Sequence, residues 1–367
     1  MSEEKEVRTY VAPQWKLVWW KFRQHRLAFA SGIVVVIIYL ISLFVEFLAP
    51  FPADKTDSKY LYAPPQRLRL RDGDGRFGLF LNGYTSKIEP EALRRVFTED
   101  PSIRIEVGFF VKGYRYKLFG FLPGDRHLIA PKDPAMPMYL LGADRLGRDL
   151  ASRLIWGTRV SMSIGLIGVF LSLVLGILLG GLSGYFGGAL DSIIQRSIEF
   201  FRSIPSIPLW MGLAAAFPAS MPPLQVYFGI TVILSLIGWT GLARVVRGKF
   251  LSLREEDFIL AATLDGVPRG RMIFTHMIPS FLSHIIARVT LMIPWMILGE
   301  TALSFLGLGL REPVVSWGVM LKETQKVGVI ASFPWLLYPA VAVIIVVLAL
   351  NFLGDGLRDA ADPYQSR

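Results

Sequence analysis

A single carboxylate stands within a long apolar run near the carboxyl-terminal end of the sequence. Glu300 is the only charged residue between 289 and 310, and Ser304 follows it in the same run. Burying a carboxylate in lipid is costly unless it faces protein or water, so such residues often line the path of a transported ion or solute. Glu300 and Ser304 are therefore candidates for a translocation path or a gate. A structural carboxylate bonded to a neighbouring helix is an equally open interpretation of Glu300.

A second polar set lies in the basic loop at 244–283. The run EEDFILAATLDG ends there at Gly266 and is followed by VPRGRMIF and then HMIP. Acidic residues favour a helix N-terminus, a glycine able to adopt positive φ ends the helix, and Pro268 begins a second one. Ala261 and Ala262 leave a shallow surface that another protein can approach. The loop therefore predicts a helical hairpin that docks to a soluble partner; a merely solvated loop is the alternative.

The residue inventory excludes several kinds of chemistry. Without cysteine the chain has no disulfide framework, thiolate metal site or cysteine nucleophile. The four histidines are scattered without the spacing of metal ligands. Gly248-Lys249-Phe250 is the closest string to a phosphate-binding loop, and it lacks the hydroxyl residue that would hold magnesium. We therefore expect no catalytic residue, no metal and no cofactor in this chain.

The composition favours a membrane protein. The 367 residues are 53% hydrophobic and 19% charged, whereas soluble domains are about 45–50% apolar and about 25% charged. The net charge of +10 is compatible with a nucleic acid or a membrane as partner. Because the basic residues flank long apolar runs and form no single stripe, the pattern indicates a lipid membrane and no nucleic acid.

Several apolar segments are long enough to cross a bilayer, since a transmembrane helix needs about 20 mostly apolar residues. The third is predicted to begin near Asp191, and the prolines at 218–223 separate it from the fourth. The predicted fold class is an all-α polytopic membrane protein with six transmembrane helices. The segments are 27–45, 160–190, the two parts of 191–243, 289–310 and 327–354.

Basic residues set the predicted orientation. Lysines and arginines cluster in the N-terminal segment and in the loop at 244–283. Six crossings place both, together with the C-terminus, on one side, which is the cytoplasmic side. The predicted organisation is a cytoplasmic tail at 1–26, a first transmembrane helix at 27–48, an extracytoplasmic insert at 49–138, a core of five transmembrane helices at 139–354 and a cytoplasmic tail at 355–367.

Two further patterns predict local structure. The insert alternates polar and apolar residues at 103–107 and 114–118, which favours a small β-rich domain, and DGDG at 72–75 predicts a hairpin turn. Within the second apolar segment, glycines recur at four-residue spacing, which lets two helices approach closely. These glycines are Gly176, Gly180, Gly184 and Gly188.

The loop at 244–283 resembles the coupling loop of ATP-binding-cassette importer permeases, whose pattern is E-A-A-x3-G-x9-I-x-L-P. Leu260 replaces the glutamate and His276 replaces the first isoleucine. The His-x-x-Pro ending is similar to that of the dipeptide and oligopeptide branch. The residues in register are Ala261, Ala262, Gly266, Ile278 and Pro279.

Other strings resemble the same branch and occur in its order. They are LGADRLGRD at 141–149, ETALSFLGLG at 300–309, SWG at 316–318, and NFLGDGLRD at 351–359 followed by DP at 362–363. The resemblance runs from about residue 139 to the end, with a looser match near 15–50. The insert at 51–138 is longer than the family leads us to expect.

The resemblance implies a type I importer permease fold and the C-type subunit of the dipeptide, oligopeptide and nickel permease family, in the inner or plasma membrane. Its partners would be a second homologous permease subunit, two cytoplasmic ATPase subunits that bind the ATP, and an extracytoplasmic solute-binding protein. The chain itself would be no enzyme. The residues implied for coupling are Glu256, Asp257, Ala261, Ala262, Asp265, Gly266, Arg269, Arg271, His276 and Pro279.

Two other classes compete with this interpretation. A secondary, ion-coupled transporter would explain the spans and would make Glu300 an ion site, yet the sequence has no convincing internal repeat. A membrane-embedded enzyme would need clustered histidine, aspartate or serine in the spans, which is absent. The cargo, whether dipeptide, oligopeptide, nickel complex or oligosaccharide, is not encoded legibly in this chain.

Overall fold

Helices make up most of this chain, and a four-stranded sheet lies between the third and fourth of them. The computed structural model describes residues 14–71, 77–89, 94–218 and 220–361. The helices are α1 Gln14–Gln24, α2 Arg26–Leu43, α3 Val45–Leu48, α4 Leu150–Phe186, α5 Gly188–Ser203, α6 Ser206–Ala215, α7 Pro223–Leu253, α8 Asp257–Leu264, α9 Arg269–Arg271, α10 Ile278–Ser280, α11 Leu282–Phe305, α12 Trp317–Leu321, α13 Val327–Ser332 and α14 Tyr338–Ala361. The strands are β1 Arg69–Arg71, β2 Phe77–Glu89, β3 Arg94–Leu118 and β4 Leu122–Pro131.

The chain divides into two compact units. The first unit contains the described residues within 1–36, 163–303 and 344–367, and the second contains those within 37–162 and 304–343. Five helices of the described residues are long and apolar enough to cross a membrane, judged by length and composition. They are Arg26–Leu43, Leu150–Phe186, Pro223–Leu253, Leu282–Phe305 and Pro334–Ala360.

The structure differs from the predicted six spans at the third. α5 is amphipathic and ends at Ser203, because Pro205 lacks a donor and disfavours helix at the residue before it. α6 is apolar but has only 10 residues, about 15 Å of helix, whereas the hydrocarbon core is about 30 Å thick. The described part of the chain therefore supplies five long spans, and the third predicted one is broken.

Close packing of α4 against α7 organises the first unit. A Cβ added at Gly176 would lie 2.8 Å from the Leu242 side chain, and one at Gly180 would lie 2.5 Å from the Ala243 carbonyl oxygen. A Cβ at Gly184 would meet the Arg247 carbonyl oxygen at 2.8 Å. The predicted close approach of two helices is confirmed at these three glycines, whereas the fourth, at 188, has no neighbour within 4 Å.

An ion pair joins α5 to the end of α7 in the same unit. Arg247 donates to both carboxylate oxygens of Asp191 at 2.6 Å. The hydrogen bond from Arg247 holds the pKa of the Asp191 carboxyl below its usual value, against the opposing effect of burial. α7 itself runs on to Leu253, so the predicted loop at 244–283 begins as helix. The predicted tail at 355–367 likewise begins within α14, and residues 362–367 and 1–13 lie outside the described residues.

The second unit contains the sheet. Its strands are antiparallel in the order β1-β2-β3-β4, and both predicted strand segments lie within β3. Phe51, Leu81, Ile105, Val107 and Met138 form a buried cluster on it. The predicted turn at 72–75 lies outside the described residues, and the side of the membrane on which the sheet lies stays a prediction.

Candidate functional sites

The predicted helical hairpin after α7 is present, and a glycine shapes its turn. Gly266 has a φ of 71°. Its N–H donates to the Thr263 carbonyl at 3.1 Å, and the Val267 N–H donates to the Ala262 carbonyl at 3.1 Å. These two bonds form a Schellman turn, which satisfies carbonyls that the end of α8 would otherwise leave unpaired. The positive φ is the physical reason for a glycine at this position.

One side of the hairpin is buried in the first unit. Ile259 of α8 packs with Met272, Met277 and Phe281 into a cluster that includes Phe250 of α7. One turn of π-helix, Met272–Met277, connects α9 to α10 within this packing. These contacts hold the hairpin on the end of α7, so a displacement of one element would carry the other.

The opposite side of α8 is an exposed apolar surface. Leu264 is 89% exposed, and Phe258, Leu260 and Ala261 are exposed beside it. Leu260 occupies the place where the resemblance leads us to expect a glutamate, so an exposed apolar side chain stands there. Charged side chains surround this surface, and exposed apolar patches with a polar rim are typical of protein or membrane interaction sites. The exposed charged residues are Glu256, Asp257, Asp265, Arg269 and Arg271.

The structure brings the ten residues predicted for coupling together on this one hairpin. His276 is half-buried in the π-helical turn, and Pro279 is exposed on α10. Arg269 lies over the Phe186 ring at 5.9 Å from its centroid, which adds a cation–π contact to the end of α4. We call the exposed side of α8 with its charged border the coupling surface.

Glu300 and Ser304 belong to different units of the structure. Glu300 is completely buried on α11 in the first unit. Ser304, in the second unit, is also buried, and its hydroxyl accepts a hydrogen bond from the Leu310 N–H at 3.0 Å. That bond gives Ser304 a role in the turn that follows α11. A translocation role for either residue remains a prediction.

A cavity of about 470 Å³ in the first unit contains two arginines that the sequence did not single out together. A Cβ at Gly241 would lie 3.5 Å from an Arg288 nitrogen and 3.7 Å from an Arg202 nitrogen. Among the described residues, neither guanidinium has a carboxylate within 4.0 Å. Phe201 and Trp295 contribute aromatic walls. Two neighbouring cations without a carboxylate favour an anionic group between them.

A network of ion pairs in the second unit uses the LGADRLGRD string. Arg148 donates to Asp144 at 2.6 Å and to Glu312 at 2.6 Å. Burial raises the pKa of the Glu312 carboxyl, but the hydrogen bond and charge of Arg148 and the charges of Arg153 and Arg145 outweigh it and leave the pKa below its usual value. The string therefore ties the start of α4 to the segment after α11.

Two family models match this sequence. The model described as a binding-protein-dependent transport system inner membrane component matches residues 155–367. The model described as the N-terminal transmembrane domain of oligopeptide transport permease C matches residues 13–65. Residues 66–154, which include the strands, lie outside both models.

Curated relatives agree with the family models. The oligopeptide transport system permease protein OppC of Haemophilus influenzae is 40% identical over 232 residues, which is 63% of this chain and 72% of that protein. The dipeptide transport system permease protein DppC of Alkalihalophilus pseudofirmus is 39% identical over 223 residues, which is 60% of this chain and 71% of that protein. A solved chain of the MetNI methionine ABC transporter, in an inward-facing conformation, aligns over 56% of this chain and 95% of its own length at 18% identity, and the TM-score of 0.45 is too low to decide the fold.

Proposed function

This chain belongs to the family of binding-protein-dependent transport system inner membrane components, and within it to the C-type oligopeptide and dipeptide permeases, and on that premise we propose that it is one membrane subunit of an ATP-driven peptide importer. A second, homologous permease subunit completes the translocation path. Two cytoplasmic ATPase subunits supply the energy, and an extracytoplasmic solute-binding protein delivers the peptide. The chain catalyses no reaction itself.

The coupling surface is the single observation that carries this proposal. An apolar helix face with Leu264 almost fully exposed is costly in water unless a partner covers it. Its other side is packed onto α7 through Ile259 and Phe250. An ATPase that grips α8 would therefore transmit its own closure to a long helix of the first unit, as a rigid-body movement.

We propose further that the arginine-lined cavity of the first unit lies on the translocation path. Its volume of about 470 Å³ is within the range of about 300–1,000 Å³ that is typical of small-molecule sites. Arg202 and Arg288 would attract the terminal carboxylate of a peptide, since guanidinium groups form strong charge-assisted bonds to carboxylates. Glu300 remains the candidate for a gate on α11. The termini and the coupling surface are cytoplasmic in this proposal, and the sheet is extracytoplasmic.

The test is peptide uptake by the purified complex in proteoliposomes, with ATP supplied on the side of the membrane that carries the ATPase subunits. Leu264→Gln replaces an apolar side chain that is 89% exposed with a polar one. Because that side chain packs little against the rest of the chain, we expect the variant to fold normally. We expect this variant to lose most uptake and most stimulation of ATP hydrolysis. Val327→Gln, at an exposed apolar position of the second unit, is the matched control and should transport normally.

Two outcomes would contradict the proposal. Normal uptake by Leu264→Gln would exclude the coupling surface as the ATPase contact. Uptake that follows an ion gradient without ATP hydrolysis would favour the ion-coupled alternative. The isolated chain should also bind no ATP, since the sequence lacks a phosphate-binding loop, and stoichiometric nucleotide binding would contradict that division of labour.

A further inference from the structure

The hairpin that joins β3 to β4 exposes large apolar side chains at its tip. Phe121 is 75% exposed, and Phe119 and Leu122 are exposed next to it. Phe109 and Phe110, further back on β3, are exposed as well. Exposed apolar surfaces of this kind are typical of sites that contact a protein or a membrane.

Two of these phenylalanines are held in a strained backbone conformation. Phe110 and Phe119 both have a φ of 55°, a region that a bulky residue rarely adopts because it costs about 1–3 kcal/mol. Such strain persists only when the surroundings impose it. At Phe119 the positive φ belongs to the tight turn between β3 and β4, where Gly120 also has a positive φ of 84°.

Contacts along β3 give the direction of the hairpin. Val107 clusters with Phe51, the Tyr114 hydroxyl donates to the Ala49 carbonyl at 3.5 Å, and the Phe119 ring lies 5.8 Å from the Phe44 ring. As β3 advances, its partners thus move back along the chain towards α2, which ends at Leu43. The tip of the hairpin therefore lies beside the end of the first span.

A partly buried ion pair marks the level of that span's end. Arg159 donates to the two carboxylate oxygens of Glu46 at 2.5 Å and 2.7 Å, and to the carbonyls of Ser42 and Leu43 at 3.0 Å. Its guanidinium lies 5.8 Å from the Trp156 ring. Charged groups and tryptophan are typical of the boundary between hydrocarbon and headgroups. We therefore place Phe44, directly after α2, at this boundary, together with the Phe119 ring that meets it edge to face.

The hairpin also carries an excess of positive charge. Asp125 is its one acidic residue between 109 and 126, and Lys112 pairs with it at 3.6 Å. The remaining cations can reach anionic lipid headgroups, which attract basic segments near a membrane surface. The basic side chains of the segment are Lys112, Arg115, Lys117 and Arg126.

We propose that the tip of the β3–β4 hairpin inserts into the headgroup region of the bilayer beside the first span, with its phenylalanines against the part of the acyl chains nearest the headgroups and its basic residues on anionic phospholipid. The bilayer is the occupant of this surface because the tip is continuous with the end of an apolar span. Residues 66–154 lie outside both family models, so this lipid contact is separate from the transport proposed above. It anchors the sheet to the membrane at a second point.

Single-cysteine spin labelling tests this proposal directly, since the chain has no cysteine of its own. Phe121→Cys and Leu122→Cys place labels at two exposed positions of the tip. Ile88→Cys is the matched control, because Ile88 is an exposed apolar residue that pairs with Arg95 at the opposite end of β3. The full chain, in nanodiscs that contain phosphatidylglycerol, is exposed in turn to oxygen and to nickel ethylenediaminediacetate.

Oxygen concentrates in the bilayer, whereas the polar nickel chelate is excluded from it. The ratio of oxygen to chelate accessibility should therefore be several-fold higher at positions 121 and 122 than at position 88. Equal ratios at the tip and at position 88 would place the tip in water and overturn the proposal. Exclusion of both probes from the tip would show that protein covers it, which overturns the proposal as well.

Discussion

Substituting Gly266 tests the coupling hairpin at its turn. The φ of 71° lies in the left-handed region, where an L-residue costs about 1–2 kcal/mol relative to the right-handed region. No atom lies within 4 Å of a Cβ added there. The free-energy cost of Gly266→Val therefore comes from the backbone conformation, since the new side chain meets no neighbouring atom at its Cβ. At about 1.4 kcal/mol per tenfold change, the native turn becomes about 5- to 30-fold less favourable.

The strained turn releases its two hydrogen bonds to water, because this end of α8 is exposed. The coupling surface then loses its fixed position on the first unit, while the long spans keep their packing. We expect Gly266→Val to reach the membrane in normal amounts. Peptide uptake and the stimulation of ATP hydrolysis by the loaded complex should both fall severalfold or more in proteoliposomes.

Gly266→Asn is the matched control, since asparagine tolerates the left-handed region better than other side chains. It should keep most of the uptake that valine loses. Wild-type uptake and stimulation by the valine variant would refute the reasoning. An asparagine variant as inactive as valine would show that the site needs the absence of a side chain, and the argument from φ would fail.

Three further substitutions test the packing and the charges. Burial raises the pKa of the Asp149 carboxyl to about 6, so its stabilising contribution is present below about pH 4 and is lost as the pH rises through 6. The melting temperature of Asp149→Asn, relative to that of wild type, should therefore be higher at pH 8 than at pH 4.5. A difference that does not depend on pH would contradict this. Arg159→Leu alone should destabilise the protein by about 2–3 kcal/mol, which is less than for a fully buried pair because the arginine is 33% exposed. Adding Glu46→Leu should recover stability in thermal melts, because it removes the carboxylate left without its partner. A double variant no more stable than the single one would exclude a cost from the unpaired, buried Glu46. Gly180→Ala should lower the free energy of unfolding by about 1–3 kcal/mol, since its Cβ would lie 2.5 Å from a carbonyl oxygen. Gly212→Ala, whose Cβ would have no atom within 4 Å, should be neutral or stabilising. Equal melting temperatures for the two variants would refute the close packing of α4 against α7.

Local chemistry made the coupling hairpin predictable. Acidic residues lie at the start of α8, Gly266 follows its end, and Pro268 is the N-cap of α9, and each acts through the backbone of its own turn. The α4 glycines were predictable for a related reason, because a repeat of small residues leaves room on one helix face whichever helix fills it. What the glycines could not indicate is that α7 is the helix that packs there.

The third span was not predictable in this way. The mean hydropathy of 191–243 does not show where the helix breaks. In the structure, Pro205 divides the segment into the amphipathic α5 and the short α6. Arg202 lies at the end of α5, within the part of the chain predicted to be that span. The structure places it near Arg288 in a common cavity, a neighbour 86 positions away for which the sequence holds no spacing signal.

By itself, then, the sequence determined that this protein is a membrane permease with apolar helices, glycine contacts and a helical hairpin after one of its spans. Those features depend on composition and on residues a few positions apart. Only the tertiary structure decided that Arg159 pairs with Glu46, that two arginines share a cavity, and that the β3–β4 hairpin returns to the end of the first span. Such contacts join residues distant in the chain, and their energies depend on burial and mutual distance, which folding alone sets.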